Sequence, residues 1–219
     1  MRDRLRGLLA DGRLEEIAEA AERKKSVLGR LVPRMFDPDP EVGWRAVEAM
    51  GLAADRIART DPDYVREHLR RLLWLLSEES GGLCWRAPEG MAEIVRRNPQ
   101  LFADYFPIVT SLIVSMAEED LEHFRAGALW AIGRLGLPPE GLDEEVLAAV
   151  VSALDNHDAQ VRGMAVWCLG QIGRAPLLAA RPDLASDDGL VELYEDGTVR
   201  RTTVGETVKA LAGGGPTGR

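Results

Sequence analysis

The sequence predicts an all-α fold, a right-handed superhelix of four helical hairpins with a small β-hairpin near its C-terminus. The main observation is an internal repeat. Four segments align at spacings of 41, 41 and 37 residues, and they begin at Val42, Leu83, Phe124 and Val161. Periods near 40 residues are typical of two-helix repeats. In every segment, apolar or small residues occupy positions i, i+4, i+7 and i+8, which share one face of a helix.

The aligned segments are interpreted as the second helices of the hairpins. Turn-forming Asp, Ser and Asn precede them, and these residues also suit helix N-caps. Residues 1–25 are predicted to form capping helices, because a terminal repeat lacks a neighbour on its outer side. The four hairpins then occupy residues 26–174. Their first helices are predicted at Ser26–Phe36, Pro62–Leu76, Leu101–Met116 and Leu142–Leu154.

The C-terminal segment departs from the repeat. Asp196-Gly197 separates two runs of strand-forming residues, which is the signature of a tight β-hairpin. An isolated hairpin is only marginally stable. We therefore expect residues 175–212 to form a β-hairpin and a short helix near Val204–Leu211 that dock on the last repeat. The glycine-rich residues 213–219 are predicted to be a disordered tail.

The charge and composition of the chain restrict its partners. The net charge is −9: residues 1–100 carry 18 basic and 18 acidic residues, and residues 101–219 carry 9 and 18. Nucleic-acid binders normally present a basic face, so this distribution argues against a nucleic-acid partner. No apolar run approaches the roughly 20 residues of a membrane span, and the N-terminus shows no signal-peptide pattern. With only two cysteines, a cytoplasmic protein without membrane contact is predicted.

Parts of the sequence resemble HEAT-like repeats. The resemblance rests on Asp37-Pro-Asp-Pro-Glu-Val42 with Gly51, and on Asp158-Ala-Gln-Val-Arg162 with Gly170. It covers roughly residues 26–174 and looks like the phycobilisome-lyase type of these repeats. The run Glu79-Ser-Gly-Gly-Leu-Cys-Trp-Arg-Ala-Pro-Glu89 is also similar to a segment of an uncharacterised bacterial family of such proteins. The resemblance implies an α-solenoid of unknown function.

Tryptophan side chains define the predicted partner-binding site. At 100° per residue, Trp44 lies opposite the apolar stripe of its helix, and the other repeats place tryptophans on the same side. Trp and Arg are enriched at binding hot spots, and in solenoids this side of the second helix usually lines a concave groove. The groove is expected to hold a peptide, a helix or a planar ligand. Its predicted residues are Trp44, Arg45, Glu48, Trp85, Arg86, Glu89, Trp130 and Trp167.

A structural interpretation of these residues is the alternative. The rings would fill gaps between neighbouring second helices or be covered by the C-terminal hairpin. Arg45 with Glu48, and Arg86 with Glu89, would then be plain i,i+3 pairs that stabilise a helix by only about 0.2–0.5 kcal/mol each.

Other candidate sites are weaker. A turn of Ser80, Gly81 and Gly82 precedes a helix, where bare amides can bind an anion; the alternative is a turn that needs a positive φ. The histidines His68, His123 and His157 are scattered and expected at the surface, and Cys168 is expected in the core. We find no phosphate-binding, metal-ligand or nucleophile motif, so neither cofactor nor metal nor enzymatic activity is predicted.

Three functions are compatible with the sequence. The first is a protein-interaction scaffold that binds another protein or peptide in the tryptophan groove. The second is a nucleic-acid binder or enzyme similar to the DNA glycosylases built from HEAT-like repeats, which the aromatic and acidic residues suggest and the net charge opposes. The third is a lyase-type chaperone for a bilin or another small molecule, implied only by the family resemblance. The partner and the oligomeric state are not specified by the sequence.

Overall fold

The computed structural model of the chain describes residues 2–76, 86–118, 124–136 and 141–213. The described residues are mostly helical, their helices pack in sequential pairs, and a two-stranded hairpin follows near the C-terminus. The predicted helical class and the hairpin are thus confirmed. The chain divides into two compact units. The first comprises Met1–Phe106 and Tyr194–Val199, and the second comprises Pro107–Leu193 and Arg200–Arg219.

The first unit is organised around its longest helix, α4. This helix packs against α2, α3, α5 and α6, and most of its residues are buried. The described helices are α1 (Arg2–Ala10), α2 (Leu14–Arg23), α3 (Val27–Leu31), α4 (Pro40–Ala58), α5 (Pro62–Leu75) and α6 (Ala87–Arg97).

The second unit is organised around α10, which packs against α8 and α11. The strands β1 and β2 form one antiparallel hairpin, and its tip, Tyr194–Val199, belongs to the first unit. The remaining elements are α7 (Phe106–Glu118), α8 (Arg125–Leu135), α9 (Glu144–Ser152), α10 (Ala159–Gln171), β1 (Leu190–Glu195), β2 (Thr198–Thr203) and α11 (Val204–Gly213).

Aspartate side chains cap the N-termini of four described helices, and for α4 and α10 the turn composition predicts this. Each accepts a hydrogen bond from a backbone amide in the first turn, which otherwise has no partner inside the helix. The capped helices are α4 (Asp39 to the Glu41 amide), α5 (Asp61 to Tyr64), α9 (Asp143 to Glu145) and α10 (Asp158 to Gln160).

Two first helices differ in extent from their predicted bounds because of proline. The helix expected at Ser26–Phe36 ends as α3 at Leu31, and a 3₁₀ turn, Val32–Arg34, follows. Pro33 lacks the amide hydrogen that would continue the helical ladder. The helix expected from Leu101 begins instead at Phe106, immediately before Pro107, because proline is tolerated in the first turn of a helix.

Glycine is the last residue of three of the four aligned segments, and there it lets a neighbouring helix approach closely. A Cβ atom there would lie 2.7, 2.5 or 2.4 Å from an atom of the helix packed alongside. Within the second unit, Gly170 of α10 therefore receives α11 at the position equivalent to Gly133, the residue of α8 that receives α10. The contacts are Gly51 with Glu93 of α6, Gly133 with Trp167 of α10, and Gly170 with Leu211 of α11.

Candidate functional site

The predicted tryptophan face of α4 is covered by the hairpin tip. Trp44 is only 9% exposed, and the ring of Tyr194 stacks on it with centroids 5.3 Å apart and planes at 4°. The prediction that Trp44 lies open on the surface is therefore wrong. The alternative prediction, that the C-terminal hairpin covers this tryptophan, is confirmed.

Two hydrogen bonds hold the tip on α4. The Tyr194 hydroxyl donates to Glu48 Oε2 at 2.6 Å, and Arg45 Nε donates to the Gly197 carbonyl at 3.1 Å. Burial, and then the bond to Glu48, raise the pKa of the Tyr194 hydroxyl well above its usual range. The phenol therefore keeps its proton and remains a donor at every physiological pH.

Arg45 is fixed by neighbours other than the one predicted. Its guanidinium pairs with Glu41 at 2.9 Å and donates to the carbonyls of Leu9 and Ala10 at the end of α1. The expected Arg45–Glu48 pair does not form, because Glu48 faces Tyr194 and lies 3.9 Å from Arg97. Cations at the C-terminal end of a helix interact favourably with its dipole, so Arg45 is held in one orientation.

Arg86 and Glu89 lie at the start of α6. The Arg86 guanidinium lies 4.2 Å from the centroid of the Trp44 ring, within the range of a cation–π interaction. Glu89 is buried, and burial raises its pKa to about 7, although the nearby positive charge of Arg86 opposes the shift. Its Oε2 atom has no hydrogen-bond partner among the described residues.

A second buried carboxylate, Glu93, lies one turn further along α6. It pairs with Arg96 at 3.3 Å and with Arg97 at 3.5 Å. Arg97 also approaches Glu48, so carboxylates and guanidiniums alternate from α6 to the acceptor of the Tyr194 hydroxyl. The Glu48 carboxylate therefore lies near a guanidinium as well as bonded to the Tyr194 hydroxyl.

In the second unit, Trp130 and Trp167 are also buried, which corrects the prediction that they line an open groove. Their rings stack with centroids 6.4 Å apart and planes at 7°, and they are 0% and 5% exposed. Trp167 fills the space left by Gly133 on α8. These two tryptophans fill the gap between neighbouring second helices, as the structural interpretation predicts.

Several predicted residues lie outside the described part of the chain. They are Trp85, His123 and the possible anion-binding turn of Ser80, Gly81 and Gly82.

Two other sequence predictions can be compared with the structure. His68 is buried on α5 rather than exposed, which corrects the surface prediction; burial, helped by the charge of Arg71, lowers its pKa to about 4. Cys168 is buried, as predicted, and its burial raises the pKa of the thiol. Within the described ranges, no three His, Cys, Asp or Glu side chains are grouped so that they could hold a metal ion.

Trp74, which was not among the predicted site residues, is 61% exposed on α5. It lies outside the aligned segments, so the repeat gave no reason to consider it. The signal was available in its neighbours, because Arg70 and Arg71 lie one turn before it and place it on the charged side of the helix.

Comparisons with known proteins agree with the repeat. Residues 122–172 match the family model of the HEAT-like repeat, and this range contains the third and fourth aligned segments. Over 192 residues the chain is 27% identical to an uncharacterized protein of Archaeoglobus fulgidus, and the match covers 84% of this chain and 94% of that protein. In the described part of the chain, no helix is long and apolar enough to cross a membrane.

Proposed function

We propose that the chain is a protein-interaction scaffold that recognises an aromatic side chain on a turn of its partner. The recognition face consists of Trp44, Arg45 and Glu48 on α4 with Arg86 before α6, and we name it the tip site. The observation that supports this proposal is the seating of the hairpin tip on the tip site, through one aromatic stack and two hydrogen bonds. The hairpin behaves as an internal ligand.

The chemistry of the tip site defines what a partner must supply. Trp44 offers a flat ring, Glu48 accepts a hydroxyl hydrogen, and Arg45 donates to a backbone carbonyl three residues further along the bound segment. A tyrosine followed by a tight turn satisfies all three groups, whereas a phenylalanine leaves Glu48 without its donor. Stacked aromatic pairs add about 0.5–1.5 kcal/mol beyond the area they bury.

An acidic cleft beside the tip site suggests the charge of the flanking residues. The cleft has a volume of about 430 Å³. Four carboxylates and a single guanidinium line it, but Arg13 pairs with Glu16, and Arg56 pairs with Glu15. Asp196 belongs to the hairpin tip that a partner must displace, so Glu48 is the carboxylate that remains to attract a basic residue next to the tyrosine of a partner. The charged lining residues are Arg13, Glu15, Glu16, Glu48 and Asp196.

A partner must compete with the hairpin tip. The tip is tethered at both ends, and a tethered ligand acts at an effective concentration in the millimolar range. A partner therefore binds weakly unless it makes further contacts along the helical repeats. The right-handed superhelix of four hairpins expected from the repeat would supply such a surface, and we include it in this proposal.

The experiment weakens the binding of the hairpin tip by mutation and measures whether an added peptide binds to the tip site instead. The probe is a fluorescein-labelled cyclic peptide with the sequence of residues 190–203. We expect it to bind the Tyr194→Ala variant measurably in fluorescence anisotropy, and the wild-type chain far less because its own tip competes. Adding Trp44→Ala to that variant should weaken binding by about tenfold or more, since a hot-spot truncation costs about 2 kcal/mol.

The matched control is Trp74→Ala in the Tyr194→Ala background, because Trp74 is exposed on another helix. It should leave the affinity unchanged, and far-ultraviolet circular dichroism should report equal helicity in all variants. Equal binding with and without Trp44 would refute the proposal.

A second candidate function, the glycosylase-like enzyme, is supported by one observation. Glu89 combines burial with a pKa of about 7, which is typical of a general acid or base near neutral pH. Stacking of a nucleobase on Trp44 would require displacement of Tyr194. A gel-shift experiment with DNA at low salt tests this candidate, and absence of any shift in both the wild-type chain and the Tyr194→Ala variant would eliminate it.

A further inference from the structure

A cleft with an apolar floor lies among the first three helices of the chain. Its volume is about 270 Å³, and α1, α2 and α3 all contribute to its lining. Leu5, Ile17 and Val27 form the buried part of the floor, and Leu8 is partly exposed beside them. The volume is below the roughly 300–1,000 Å³ typical of pockets for drug-sized ligands, so the cleft suits a side-chain anchor better than a whole cofactor.

Basic side chains surround this apolar floor. Arg4, Arg23 and Lys24 are exposed at the rim and make no ion pair with any residue in the described ranges. Of the two carboxylates that also line the cleft, Glu16 is neutralised by Arg13 at 2.5 Å, which leaves Glu19. The rim is therefore positive in a chain whose net charge is −9.

The excess of positive charge is confined to the rim of the cleft, because nearby charged residues have ion-pair partners. On the same three helices and the adjoining turn, Arg6 pairs with Asp37 and Lys25 pairs with Asp61. Glu15 and Glu22 pair with Arg56 of α4. These surrounding charges thus have partners, although Glu15 and Glu22 share the single guanidinium of Arg56, and the unpaired cations lie at the mouth of the cleft.

We propose that this cleft binds an acidic peptide segment of a partner protein through one apolar anchor. A leucine or phenylalanine of the segment enters the apolar floor, and carboxylates on either side of it meet Arg4, Arg23 and Lys24. Charge complementarity supports an acidic peptide as the occupant. The apolar floor would accept an apolar side chain from a peptide of any charge, whereas the basic rim favours an acidic peptide. The chemistry is opposite to that of the tip site, so the two surfaces accept different segments.

The probe for this proposal is a fluorescein-labelled peptide of 12 residues with two leucines four positions apart and glutamates elsewhere. Binding to the full-length chain is followed by fluorescence anisotropy at two salt concentrations. We expect weaker binding at the higher salt, because exposed charges more than about 10 Å apart are screened at 0.1 M ionic strength. Replacing both leucines of the peptide with serine should abolish binding.

The decisive variant is Arg4→Glu with Arg23→Glu, two exposed positions at the rim of the cleft. The affinity should fall by about tenfold or more, since each reversal replaces an attraction with a repulsion of similar size. The matched control is Lys209→Glu, an exposed basic residue of α11 whose reversal should change affinity by less than about twofold. Trp44→Ala should also leave the affinity unchanged, which separates this proposal from the tip site.

Three outcomes would overturn the proposal. The first is equal loss in the Arg4/Arg23 and Lys209 variants, which would indicate non-specific charge attraction. The second is equal binding of the serine peptide, which would exclude an apolar anchor. The third is no peptide binding together with self-association that the Arg4/Arg23 variant abolishes, which would identify a second copy of the chain as the occupant.

Discussion

Trp44 in the first unit and Trp130 in the second lie on helices that the repeat aligns, yet different neighbours bury them. Trp44 is covered by an aromatic ring and a guanidinium, Tyr194 and Arg86, amid carboxylates. Trp130 is covered by Trp167 of the neighbouring helix α10, and the Arg134 guanidinium lies 5.7 Å from the centroid of the Trp130 ring. Both rings thus have a guanidinium nearby, but Trp44 is covered by a hairpin tip whose tyrosine donates to a carboxylate, whereas Trp130 is covered by a neighbouring helix.

The position of each ring within the repeat explains the difference. Trp44 occupies the third position of its aligned segment, and Trp130 and Trp167 occupy the seventh, which lies about 40° further around the helix. At the seventh position, a ring on α10 fits over Gly133 of α8. In α4 the seventh residue is Glu48, whose carboxylate receives the Tyr194 hydroxyl instead. The residue at the seventh position thus differs between the two cases: a tryptophan there packs on a neighbouring helix, whereas a glutamate there bonds to the hairpin tip.

The largest expected effect separates the two tryptophan environments. Trp130→Ala should lower the free energy of unfolding by about 3–5 kcal/mol, because the cavity lies in a fully packed interface. Trp44→Ala should cost less, about 2 kcal/mol, because the hairpin tip can move away from the face it covers. Urea denaturation followed by circular dichroism measures both values. Equal losses would show that Trp44 is as deeply embedded in a core as Trp130.

A pH-dependent effect should distinguish Glu89 of the first unit. Burial raises the pKa of Glu89 in the folded chain to about 7 from its ordinary value of 4.5. The unfolded chain therefore loses this proton first, and the contribution of Glu89 to stability falls as pH rises from 4.5 to 7. The Glu89→Gln variant carries no such charge, so it should gain about 3 kcal/mol relative to the wild-type chain between pH 4 and pH 8.

His68 explains why the wild-type pH profile alone would hide this effect. Burial lowers the pKa of His68 from 6.5 to about 4 in the folded chain. Between pH 4 and 6.5 the unfolded chain therefore binds more protons at this residue, and the contribution of His68 to stability rises with pH. Between pH 4.5 and 6.5 the two slopes oppose each other. The difference between wild type and Glu89→Gln removes the His68 contribution, because both chains contain it. A difference that does not change with pH would show that Glu89 ionises normally in the folded chain.

The comparison also shows which features the sequence could predict. Periodicity identified α4, α8 and α10, and Asp196-Gly197 identified the hairpin, because both signals are local. Periodicity also predicted that Trp44 lies on the side away from the apolar stripe. It could not show that Tyr194 covers this ring, since a contact between residues 150 positions apart leaves no pattern in either segment. The sequence therefore indicated which residues of α4 form the candidate site, but not which residues cover them.

The smallest expected effect tests whether the hairpin tip is recognised by chemistry or only by shape. Tyr194→Phe keeps the stack on Trp44 and removes the hydrogen bond to Glu48. Because Glu48 is partly exposed and lies near Arg97, it is not left without any neighbour, and the loss of unfolding free energy should be only about 1 kcal/mol. The control is Tyr105→Phe, which removes a long 3.5 Å hydrogen bond to the Arg66 carbonyl and should change stability by a few tenths of a kcal/mol at most. Equal losses of unfolding free energy in the two variants would show that the Glu48 carboxylate contributes nothing particular to seating the tip. A partner would then need only an aromatic ring, because recognition would depend on ring stacking alone, as between Trp130 and Trp167.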